Sequence, residues 1–98
     1  MALKARVTLA GEDVQKCAFT MPANATNLNR HGAAIHLPRG LRIGSTIVLR
    51  NQRGAEVSAR VVAQLTQQQG VSTYGIEFVE QGDKANNFWG ISFPSNPN

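Results

Sequence analysis

The chain has one cysteine, Cys17, so no intramolecular disulfide can form and no cysteine pair is available to hold a metal. It contains no apolar run approaching the ~20 residues of a membrane-spanning helix, and its first residues carry no signal-peptide core. Helical periodicity is almost absent. Glycines are dispersed as turn residues, which leaves no phosphate-cradling loop of the known spacings. The ten Lys and Arg residues are spread from Lys4 to Lys84 without a run of like charge, and several fall in turns where solvated arginines are common.

What is present describes one soluble, cytoplasmic domain over residues 1–98, with 94–98 a frayed tail. The chain is 42% hydrophobic, enough for a modest core but too short for two. A net charge of +4 and a pI near 10.0 suit an anionic partner.

Short alternating runs follow one another between turn signals. Val7 and Leu9 predict a first strand, and Gly11-Glu12-Asp13 a turn. Cys17, Phe19 and Met21 form an apolar row with Cys17 in the core, and Pro22, which cannot donate to a ladder, puts this strand at an edge or bulge. Ala33, Ile35 and Leu37 face inward, with His36 on the opposite face. Ile47 and Leu49 come next, and Asn51-Gln52-Arg53-Gly54 reads as a hairpin connection. Val57, Ala59, Val61, Ala63 and Leu65 predict the longest half-buried strand, and Tyr74, Ile76 and Phe78 the inner face of the sixth. Six short strands with frequent turns favour an all-β, six-stranded antiparallel β-barrel, since closure removes exposed edges. Asp83 is placed to cap a short C-terminal helix through Phe88 and Trp89. These aromatics, with Ile91 and Phe93, are expected to cover one barrel end.

The most unusual chemistry lies in residues 26–37. Asn27 and Asn29 favour turns and offer both donors and acceptors, Arg30 has a planar fork for phosphate or a purine edge, and Gly32 tolerates positive φ or close approach. Such a cluster makes a polar turn or a small polar pocket. His31 and His36 lack a metal-ligand spacing. Cys17 has no base within reach in sequence, and Glu56, Glu77 and Asp83 form no pair, so neither a metal centre nor an enzyme is expected. Nucleic acid needs exposed aromatic platforms, whereas Phe19, Tyr74 and Phe78 alternate into the expected core.

Asn27-x-Asn29-x-x-Gly32, followed by Ala33 to Leu37, Leu41-x-x-Gly44-Ser45-x-Ile47-x-Leu49, Ala59-x-Val61-Val62 and Tyr74-Gly75-Ile76-Glu77-Phe78, resembles the PilZ domain family over roughly residues 5 to 93. Asn87-Phe88-Trp89-Gly90-Ile91-x-Phe93-Pro94 is similar to the tail of some short members. The resemblance implies a PilZ-like split barrel that binds cyclic di-GMP, with Asp/Asn-x-Ser-x-x-Gly as one motif and Arg-x-x-x-Arg as the other. Here Asn29 stands in the serine position and the arginine motif is missing. Only Lys4 and Arg6 stand near the start, and lysine is a point charge rather than a fork. The implied ligand contacts are Asn27, Asn29, Arg30 and Gly32, helped by Lys4 and Arg6. Either arginines stand ahead of Met1, or the domain has given up the nucleotide and serves as an adaptor for a protein partner in signalling.

Overall fold

Alternating apolar residues become six strands in the computed structural model, which describes residues 4–79 and 88–90. They are β1 (Lys4–Glu12), β2 (Ala18–Asn29), β3 (Gly32–Leu37), β4 (Thr46–Arg50), β5 (Glu56–Gln68) and β6 (Val71–Phe78). All neighbours are antiparallel, and the order β1-β2-β3-β6-β5-β4 closes through β4 onto β1. Closure pairs the edges that an open sheet would expose.

The inward rows meet in one core. Val7, Leu9, Ile35, Leu37, Ile47, Leu49, Val57, Val61 and Ile76 are buried, together with Phe78 and the tail residues Phe88 and Trp89. The Tyr74 hydroxyl accepts from the Leu41 N–H at 2.9 Å, so this buried ring brings no unmet polar atom inside. On the outer face His36 bridges two neighbouring strands, with Nε2 2.8 Å from the Thr26 hydroxyl and Nδ1 2.9 Å from that of Thr73.

Two expectations about strand faces need correction. Cys17 precedes β2 and is exposed, because the Asp13 carboxylate draws residues 13–17 into a turn by accepting the N–H groups of Gln15 and Cys17. The inward row of β5 stops at Val61, since register shifts at Val61/Ala63 and Gln64/Thr66 change the phase of the strand. Leu65 is consequently exposed, and with Val62 it lies over Gly75 outside the barrel. Pro22, by contrast, pairs with Thr8 of β1, on a part of β2 that the ladder to β3 does not reach, which fits its missing N–H.

Phe88, Trp89 and Gly90 form a turn, and the two aromatics pack edge-on at 4.9 Å between centroids, each 5.8 Å from Phe78. They cover one barrel end as expected. Residues 83–87 of the expected helix, with Ile91 and Phe93, lie outside the described residues.

Candidate functional site

The strand directions gather one set of termini at one barrel end: the start of β1, the β2–β3 turn, the β4–β5 turn and the end of β6. The candidate residues divide between two neighbouring parts of this end.

The first part is the turn from Asn27 to Gly32. A register shift falls between Thr26 and Asn29, and Asn27 takes a φ of 53°, a left-handed conformation in which asparagine is among the more tolerated side chains. The exposed Asn29 closes the turn by itself. Its Oδ1 accepts from His31 N–H at 2.8 Å, and its Nδ2 donates to the Asn27 carbonyl at 3.3 Å. Arg30 is half-buried in the turn. The His31 carbonyl accepts from Phe78 N–H at 2.7 Å, which ties the turn to β6.

Of the two uses the sequence allowed for Gly32, positive φ and close approach, the structure shows the second. Gly32 does not adopt positive φ. Instead, a Cβ at this position would stand 2.0 Å from the Ile76 carbonyl oxygen, so the close approach of β3 to β6 demands a bare backbone.

The second part is an open groove of about 470 Å³, within the usual span of small-molecule sites of ~300–1,000 Å³. Lys4 and Arg6 line it from β1, Asn51 and Arg53 from the β4–β5 turn, and Phe88 and Trp89 from the tail. Among the described residues that line it, none is a carboxylate. Asn51 organises the turn by accepting the N–H groups of Arg53 and Ala55 on Oδ1, and it anchors the tail by donating from Nδ2 to the Phe88 carbonyl at 2.7 Å. Arg53 Nη2 reaches the same carbonyl at 3.4 Å. Its guanidinium lies against Gly90, where a Cβ would come within 2.8 Å of Nη2.

Trp89 joins the two parts. Its indole N–H donates to the Asn29 carbonyl at 3.0 Å while the ring lines the groove. Lys4 and Arg6 pair with Thr26 and Asn24 across β1 and β2, next to the bulge. The six residues singled out in the sequence thus share one barrel end, but only Lys4 and Arg6 line the groove.

Comparisons with family models, curated proteins and solved structures return no match.

Sequence reasoning missed Asn51, Arg53 and Trp89 as groove residues. The first two read as hairpin chemistry and the third as a lid. The available signal was strand direction: six antiparallel strands closing β4 onto β1 bring residues 51–53 beside the start of the chain. Among the described residues, no group of three His, Cys, Asp or Glu side chains comes together as a metal site, and no helix is long and apolar enough to cross a membrane.

Proposed function

We propose that the chain is a PilZ-like regulatory domain whose basic barrel end receives cyclic di-GMP. One observation carries this reading: the Trp89 indole binds the Asn29 carbonyl on one side and walls the groove of Lys4 and Arg6 on the other. The polar turn and the cationic groove are therefore parts of one surface. A cyclic dinucleotide carries two phosphates and two guanines, so it needs cations together with donors and acceptors for base edges. Lys4 and Arg6 supply the former, and Asn27, Asn29 and Arg30 beside the bare Gly32 supply the latter. The PilZ-like form of the barrel, a short C-terminal helix and a cytoplasmic location belong to the same reading.

A second reading has its own support. Both ends of the Asn29 amide are engaged within the turn, which leaves it less bonding capacity for a ligand and favours a degenerate adaptor that recognises a protein. Titration calorimetry of the chain with cyclic di-GMP separates the two. Binding in the micromolar range, weakened about 10- to 100-fold in Arg6→Ala and Asn27→Ala at about 1.4 kcal/mol per tenfold, is the expected result. The absence of heat would leave the adaptor.

A further inference from the structure

The β5–β6 hairpin carries the longest stretch of the chain without a charged side chain, the sixteen residues from Val61 to Ile76 between Arg60 and Glu77. We propose that the outer part of this hairpin is a self-association surface, on which a second copy of the chain docks with β5 against β5 about a two-fold axis. β5 begins beside the β4–β5 turn and runs to Gln68 at the other end of the barrel. The surface is therefore separate from the basic groove.

Two bulges build it. β5 pairs with β6 through Val61 with Ile76, Ala63 with Gly75, Gln64 with Tyr74 and Thr66 with Thr73, so Val62 and Leu65 are the extra residues, one in each register shift. A bulge re-aims the side chain it carries, and here both side chains are apolar. Val62 is 43% exposed and Leu65 53%, and they stand together over the bare Gly75, 3.7 and 3.9 Å from where its Cβ would lie. Covering such a patch returns the free energy of removing apolar surface from water. The hairpin is closed by a two-residue turn, Gln69 and Gly70, with φ of 52° and 81°, the geometry that matches the twist of paired strands.

The strand edge beside the patch is also suited to pairing. β4 accompanies β5 only to Arg60, opposite Thr46, and Val61 then bonds Gly44 and Ser45. Among the described residues, no strand pairs with Val62 to Gln68 on the side away from β6. Edges are usually guarded by lysine or proline, and this segment contains neither. The bulges twist it, which limits pairing to a short stretch and favours a closed pair over a fibre.

Charge and self-complementarity select the occupant. Copies of a chain with a net charge of +4 repel one another, and they meet at least cost where charge is absent. Glutamine both donates and accepts, so Gln64, Gln67 and Gln68 can face the same residues of a second copy without mismatch. Antiparallel pairing about an axis at Leu65 sets this side chain against its own copy, an isologous contact.

The test is sedimentation equilibrium of the full chain from about 1 μM to about 1 mM, with Leu65→Lys, Leu65→Glu and an equimolar mixture of the two. The parent is expected to dimerise with a Kd of about 1 to 100 μM, and each variant alone to associate at least about tenfold more weakly, because like charges then stand opposite each other. The mixture should recover association, since a two-fold contact places the lysine of one copy against the glutamate of the other. Leu65 is exposed, so melting temperatures taken where the parent is monomeric should be unchanged in both variants. A parent that stays monomeric throughout would overturn the proposal and leave the patch to a different protein. A dimer that survives both substitutions, or one lost in both and not recovered in the mixture, would overturn the two-fold contact at Leu65.

Discussion

Gly32 shows how packing decides between two uses of a single residue. In the sequence it stands at the end of a polar turn, where glycine serves either positive φ or the close approach of another group. In the barrel the left-handed residue of this turn is Asn27, and Gly32 is needed because the Ile76 carbonyl would lie 2.0 Å from any Cβ. The neighbour there is backbone in a paired strand, so it cannot swing aside. Gly32→Ala is therefore expected to destabilise the chain by about 2 to 3 kcal/mol, the cost of forcing atoms into a packed site, with the loss read from chemical denaturation midpoints. Cys17 makes the same point in reverse. Its apolar spacing with Phe19 and Met21 reads as core, but the hydrogen bonds of Asp13 determine where the turn ends and the strand begins.

At the scale of elements, the turn 13–17 and the segment before β4 fasten the opposite end of the barrel. Val14 N–H donates to the Gly40 carbonyl, and Arg39 binds the Asp13 carboxylate at 3.0 Å while lying over the Phe19 ring at 4.8 Å. The Cys17 N–H holds the Asp13 carboxyl below its ordinary value of 3.8, with the Gln15 N–H and the Arg39 charge acting in the same direction and burial acting against them. A carboxyl with a depressed folded-state pKa adds stability above its unfolded pKa, and that stability is lost as pH falls through the folded value. Asp13→Asn should thus be less stable than the parent at neutral pH, and the gap should close as pH drops below 3.8. Thermal melts across pH 2 to 7, a range of about five units around the carboxylate values, check this. A gap of constant size would show that the charge of Asp13 contributes nothing.

For the molecule as a whole, barrel closure sets the distribution of charge. Lys4 and Arg6 are separated from Arg53 along the chain by the whole of β2, β3 and β4, yet all three line one groove. Charges that act on a ligand from an open groove are screened as the Debye length falls from about 10 Å at 0.1 M salt to about 3 Å at 1 M. Under the proposed function, affinity for cyclic di-GMP is accordingly expected to drop about tenfold across that range, measured by calorimetry at several salt concentrations. The melting temperature of the free chain should change little. Its core is apolar, and the ion pairs Arg39–Asp13 and Arg50–Glu56 have partly exposed side chains, where such pairs contribute modestly.

The sequence alone determined what depends on neighbours along the chain. Period-two apolar rows at Val7 to Leu9, Ala33 to Leu37, Ile47 to Leu49 and Tyr74 to Phe78 mark strands and their inner faces, because side chains alternate across a strand wherever it pairs. The turn at Asn27 to Gly32 was legible for the same reason, through local bonds that asparagine makes. Tertiary structure decided what depends on pairing at a distance: the bulges that turn Leu65 outward, the carbonyl that excludes a side chain from Gly32, and the meeting of the β4–β5 turn with the start of β1. Those outcomes follow from register and closure, which are properties of two strands together and are written in neither one by itself.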